Sequence, residues 1–517
     1  MKKAILLLMV FALYANVTIA QEWAKDFPGK INLVKMSDAG VAIVGTNDAL
    51  YGVDDQGKIL WTNEKLRKVE AERVQILSGT ELIFVSDKGF LSRNRVLDAN
   101  TGKEYANTGN KAAGNIIGVR VLHGTNQLWA LKGTRGIDTW DLDTNSLQYG
   151  WGRNEIKSNI AVDKMASLTW TFSGAQPLLY TGKNSAIVHL HLSHLANVDL
   201  TSGKDIWSFD WKPYKKSKDA KASTISNGFS AMKLDEATNT LYFPYIKQLV
   251  AIDIKTGKAK WHPKKGGKTG KVLSMFVTKE GVLVLTPKGL HLVDKTSGNL
   301  VWKKPIKIKN AVESILLQDG NDFFAISKGS IIKIDVANKS TKELTKKIKF
   351  SGKESFESLE IVDDLIILSA SQNVAAFNKN TGEKVHHTYL KAPGSGILAI
   401  TQNIVLAAVA VAATANSQNI NSQNSTSGSY TYHSYTPAVM KSGGSASEKS
   451  GDIMYISTKF KDADAKGFGI AKVNKKTGEI VEKIIIGDRN PLYAINHNKG
   501  KFFYKSDKKT LAMKSLK

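Results

Sequence analysis

A short acid–glycine–tryptophan pattern recurs along this chain and constrains its fold more than any other feature. AIDIKTGKAKW runs from Ala251 to Trp261, and NVDLTSGKDIW from Asn197 to Trp207 keeps the same spacing. LVDKTSGNLVW ends at Trp302, and YGVDDQGKILW ends at Trp61 with one residue fewer in its turn. Weaker copies surround Asp98, Asp141, Asp335, Asn378 and Asn474. Each copy reads as a β-hairpin. An alternating apolar run such as Leu249–Ile254 is a strand. The Asp or Asn that ends it accepts turn N–H groups, and the glycine supplies the positive φ. Lys258–Trp261 then leaves the turn as the pairing strand.

Two further alternating runs precede each hairpin. Before Asp294 they are Val272–Thr278 and Val282–Thr286; before Asp335, Val312–Gln318 and Asp322–Ser327; before Asp54, Ile31–Met36 and Val41–Gly45. The unit is four antiparallel strands in about 42 residues, the period of a propeller blade. Nine anchors run from Asp54 to Asn474. Glu22-Trp23-Ala24 reads as a lone outer strand, and Leu492–His497, Lys501–Ser506 and Thr510–Lys514 as three strands lacking a fourth. Joined, they complete a tenth unit from both ends and remove open edges. The expected fold class is all-β: a single closed β-propeller of four-stranded antiparallel blades over residues 21–517, with a literal repeat count of up to ten.

The repeat Ala-x-Asp-x-x-Thr-Gly-x-x-x-Trp resembles the tryptophan-docking repeat of the PQQ-like, quinoprotein-type β-propellers. Ala251, Asp253, Thr256, Gly257 and Trp261 fit every position. The resemblance covers nearly the whole chain, is strongest at the four Trp-bearing copies, and implies eight blades, the usual number in that family. It also implies that Trp61, Trp207, Trp261 and Trp302 dock neighbouring blades. Copies with Ala106, Tyr149, His386 or Glu482 in the Trp position should dock less tightly. Within the family the chain is similar to the propeller subunit of the outer-membrane-protein assembly machinery, which implies a scaffold rather than an enzyme.

Residues 1–20 read as a signal peptide: Lys2 and Lys3, an apolar run from Ala4 to Leu13, then small residues to Ala20. The longest later apolar run, Ile404–Ala413, reads as a strand, so no transmembrane segment is expected. The location expected is periplasmic or secreted. Cysteine is absent, which excludes disulfides, thiolate metal sites and a lipobox cysteine. Residues 414–450, rich in Ser, Asn, Thr and Gly, read as a mobile low-complexity insertion carrying Tyr430, Tyr432, His433 and Tyr435. Thr181–His194 and Trp211–Ala222 read as long loops.

The net charge is +26, carried by 64 Lys against 8 Arg. Lysine in such excess over arginine argues against phosphate or base readout, so no nucleic acid is expected. Lysine runs at 212–221, 264–271 and 303–309 follow or flank the docking tryptophans and could form a rim that attracts anionic polymers.

Catalytic signatures are weak. His189, His191 and His194 are spaced like metal ligands, but Leu190 and Leu192 make the run an ordinary half-buried strand. His386 and His387 alternate faces. No nucleophile elbow, zincin helix or phosphate loop occurs. No catalytic, cofactor-binding or metal residue is therefore expected, and no cofactor. The expected function is an exported, non-catalytic protein-binding or envelope assembly scaffold with an envelope protein partner. An acidic surface or polysaccharide is a further candidate partner. A PQQ-dependent dehydrogenase-like enzyme and a glycan or anionic-polymer binding module are the alternatives. The sequence leaves the oligomeric state open.

Overall fold

The structure is a computed structural model. It describes residues 22–516, apart from 86–94, 106–117, 152–178, 215–231, 394–446 and gaps of at most five residues. The signal peptide and nearly all of the 414–450 insertion, including its tyrosines, lie outside the described residues. The last four residues of that stretch, Ser447–Ser450, form a strand paired to Ile453–Ile456.

The described chain is all-β, in ten separate antiparallel sheets, seven of four strands and three of three. Each sheet is named here by its anchor. Strands follow chain order across every anchored sheet, as hairpin connections require. The Asp54 sheet, for example, runs Ile31–Met36, Ala42–Thr46, Leu50–Val53 and Ile59–Asn63.

Three sheets, those of Asp98, Asp253 and Asp294, lack the expected fourth strand. Their last arm makes only single bridges: Leu97 to Glu104, Ile252 to Ala259 and Val293 to Leu300. The Asp54, Asp199 and Asn474 sheets, which keep the fourth strand, carry a bulge one residue before the docking position. In the Asp54 sheet Val53 pairs with Ile59 and Gly52 with Trp61, so Leu60 is extra. Ile206 and Val481 are skipped in the same way. The bulge turns the extra side chain outward, and these three are exposed. It also turns the following residue inward. Thr181–His194 is not a loop: it belongs to the strands Leu179–Gly182, Ser185–His191 and His194–Asp199.

The chain divides into two compact units. One comprises residues up to 109, 388–399 and 437–517; the other 110–387 and 400–436. In the first, apolar side chains fill the space between the Asp54 and Asp98 sheets, including Leu33, Ile43, Val85 and Leu97. A second layer joins the Asp54 sheet to the terminal sheet through Val44, Tyr51, Phe503 and Met513. The terminal sheet is built from both ends as expected: Trp23–Asp26 pairs with Thr510–Met513 beside Lys501–Lys505 and Tyr493–Asn496. In the second unit the Asp199, Asp253, Asp294, Asp335 and Asn378 sheets stack face to face in sequence order through successive apolar layers. Each sheet thus buries both faces, which explains the near-continuous apolar runs VLVLT and GLHLV.

Candidate functional site

The anchors do the same local job in every copy. Asp253 Oδ1 accepts the N–H groups of Lys255 and Thr256 and the Thr256 hydroxyl. Asp54, Asp98, Asp141, Asp199, Asp294, Asp335, Asn378 and Asn474 cap their turns likewise. Hydrogen bonds from Ser202 and Ser297 hold the Asp199 and Asp294 carboxyls below the usual range. These carboxylates are committed to turns.

The tryptophans dock where the resemblance places them. Trp61 Nε1 donates to Ala99 O at 2.7 Å, Trp207 Nε1 to Ile254 O at 2.7 Å, and Trp261 Nε1 to Lys295 O at 2.9 Å. Each acceptor is the residue after the next anchor. The ring lies on the glycine of that turn: a Cβ on Gly298 would stand 2.6 Å from the Trp261 ring, and one on Gly257 2.6 Å from Trp207. Trp302 differs. The next turn has Lys339 in the glycine position at φ 51°, and its Nζ sits 6.0 Å from the Trp302 ring. A cation over the ring face replaces the bare peptide.

Sequence reasoning missed one docking residue altogether. Trp23 Nε1 donates to Asp55 O at 2.9 Å, and its ring lies on Gly57. Its hairpin is split between the two ends of the chain, so no acid–glycine turn precedes it in sequence. Threonines serve two copies that lack Trp. The Thr345 hydroxyl donates to Gly382 O, and the Thr388 hydroxyl to Gly478 O at 2.7 Å.

Glu482, in the Trp position of the Asn474 copy, is buried with Lys514 of the terminal sheet. Lys472 Nζ lies 3.9 Å from Glu482. Burial pushes the Lys514 amine down to about 8, with Glu482 acting against that shift.

The histidine run falls on two paired strands, and its side chains lie outside the described residues. His191 pairs with His194 across a hairpin and His189 with Leu195. Among the described residues no group of three His, Asp or Glu could hold a metal ion. His387 Nε2 meets Asn373 Oδ1 at 2.8 Å, while Asn373 Nδ2 donates to Ser351 O and Glu354 Oε2. This fully buried amide ties the preceding connector to its own sheet. Ala106 and the Tyr149 side chain lie outside what is described. No helix among the described residues is long and apolar enough to cross a membrane.

Comparison with known proteins adds a family. Residues 244–387 match the family model described as outer membrane protein assembly factor BamB. No curated protein matches the chain. Among solved structures, BamB from Moraxella catarrhalis is 12% identical over 96% of this chain and 99% of its own, with a TM-score of 0.30. Dihydro-heme d1 dehydrogenase NirN in complex with DHE is 12% identical over 78% of this chain and 73% of its own, at 0.36. A eukaryotic initiation factor is 11% identical over 71% and 89%, at 0.39. TM-scores this low carry no structural argument. The family model covers the Asp253, Asp294 and Asp335 hairpins and most of the Asn378 sheet, where tryptophan or threonine joins each sheet to the next: over these residues the chain is similar to the PQQ-like repeats of that family.

Proposed function

We propose that the ten sheets close into one β-propeller that works as an exported, non-catalytic scaffold binding a protein partner during envelope assembly. The observation that carries this reading is the match of residues 244–387 to the outer membrane protein assembly factor model. Three features support it. Within one unit the Asp199, Asp253, Asp294, Asp335 and Asn378 sheets stack in sequence order. The terminal sheet takes strands from both chain ends. The recurring carboxylates, the most obvious source of catalytic groups, are spent on capping turns. The leader-like segment at residues 1–20 supports a periplasmic or secreted location.

Crosslinking in the envelope of the source cell, followed by affinity capture of this chain, tests the proposal. Recovery of the machinery that assembles outer-membrane proteins is expected. Titration of the purified protein with PQQ and calcium gives the opposing test. A stoichiometric absorbance change with alcohol-dependent dye reduction would replace the scaffold by an enzyme.

A further inference from the structure

The charge is concentrated. Between residues 244 and 349 there are 22 lysines and 8 acidic residues, a surplus of 14 out of the chain's +26. The fold then sorts it by end. In the consecutive Asp253, Asp294 and Asp335 sheets, antiparallel pairing sends the turn before the third strand and the connector leaving the last arm to one end. Hydrogen bonds fix this. Gly270 N–H donates to Lys247 O at 2.9 Å, Leu290 and Ile306 exchange N–H···O bonds of 2.8 and 2.9 Å, and Ile348 N–H donates to Gly329 O at 2.7 Å.

Eleven lysines of these turns and connectors are described, and all are exposed. Lys247 and Lys288 stand on the turns, and Lys303, Lys304, Lys307 and Lys309 on the connector after Trp302. Of the eleven only Lys346 makes an ion pair, with Glu343 at 3.3 Å. Six of the eight acids lie at the opposite end, in the anchor turns (Asp253, Asp294, Asp335) and the first hairpins (Glu280, Asp319, Asp322). The lysine end has two, Glu313 by sequence and Glu343 beside Lys346. Ile306 and Ile308 are buried between Lys307 and Lys309, so the connector lies flat and its amines point outward.

We propose that this end is a contact surface for an anionic lipid bilayer. Lysine ammoniums are point charges suited to an array of phosphate headgroups rather than to bidentate recognition. No large apolar side chain of these turns and connectors is exposed among the described residues, so the surface lacks the anchor of a protein hot spot. Nor does it expose a Trp, Tyr or Phe on which a base or sugar could stack. A charged membrane needs neither, because its attraction sums over each nearby lysine. The inference is independent of the scaffold reading, which envelope capture tests separately.

Flotation of the purified protein with phosphatidylcholine vesicles, with and without about 30% phosphatidylglycerol, reads the surface directly. Binding only to the anionic vesicles, lost on raising salt from about 0.1 to about 0.5 M, is expected. The triple variant Lys303→Gln, Lys304→Gln, Lys307→Gln should weaken it at least about tenfold. A matched variant at the other end, Lys255→Gln, Lys258→Gln, Lys279→Gln, should change it less than about twofold. A third variant, Lys268→Gln, Lys271→Gln, Lys347→Gln, repeats the loss from two other connectors. Equal losses from both ends, binding to neutral vesicles, or preferential capture by heparin would each overturn the proposal.

Discussion

At Gly298 two requirements meet in one residue. Its φ of 72° lies in the left-handed region, and the Trp261 ring occupies the space a side chain would need. Gly298→Ala should therefore cost about 2–4 kcal/mol, combining backbone strain with overpacking. Gly320, at φ 56° with nothing within 4 Å, separates the two: Gly320→Ala should cost only about 1–2 kcal/mol. Trp261→Ala removes the other half of the contact and should cost about 3–5 kcal/mol. Urea unfolding measures all three. The anchors add an acid limit. Asp199 and Asp294 are held below their usual range by turn hydrogen bonds. Their contribution is complete above about pH 4 and is lost as pH falls through the lowered values, when the folded state must take up protons late. Asp294→Asn should flatten part of that acid loss in a pH series of unfolding midpoints.

Between elements, joints of different chemistry serve the same purpose. A Trp on a glycine peptide, a Trp under Lys339, a Thr hydroxyl on a glycine carbonyl and the buried Glu482–Lys514 pair each join one sheet to another. The ionic joint is the most sensitive. Glu482→Leu alone should cost about 3–5 kcal/mol by leaving Lys514 buried without its counter-charge, and Lys514→Met less, because Lys472 still faces Glu482. The double variant should be about neutral or stabilising. A double-mutant cycle by thermal unfolding checks this. The same joint sets an alkaline signature. Lys514 and Lys233, both lowered to about 8 by burial, release protons before the unfolded chain does. Stability should rise with pH from about 8 to about 10. Above that Tyr242, raised by burial, and Tyr214, raised by burial to about 12, act with the opposite sign. Lys514→Met should remove much of the rise.

For the molecule as a whole, the sequence made the repeat legible because each strong hairpin carries its own turn chemistry and its own docking ring. Asp253, Gly257 and Trp261 can be read without their neighbours. The substitutes could not be read so. Thr345 and Thr388 act two residues beyond the expected position, through a hydroxyl that any threonine carries. Trp23 has no turn before it. Three sheets lack the fourth strand although their hairpins carry the same turn chemistry as the rest. The histidine run at 189–194 reads in sequence as one strand, whereas the hairpin divides it between two, with His191 opposite His194. Trp23→Ala should lower the unfolding midpoint about as much as loss of a half-buried aromatic, about 2–4 kcal/mol. Deleting residues 22–27 should do more, since it bares the Thr510–Ser515 strand and invites aggregation.

The terminal sheet has a consequence in time. Glu22 is held by the Ser515 hydroxyl and by Lys501 Nζ, partners up to 493 residues further along. A growing polypeptide can complete every hairpin unit as it emerges, but this sheet must wait until residues 510–515 have been made. Until then Trp23 has no strand to pair with, and a segment made hundreds of residues earlier is among the last to settle.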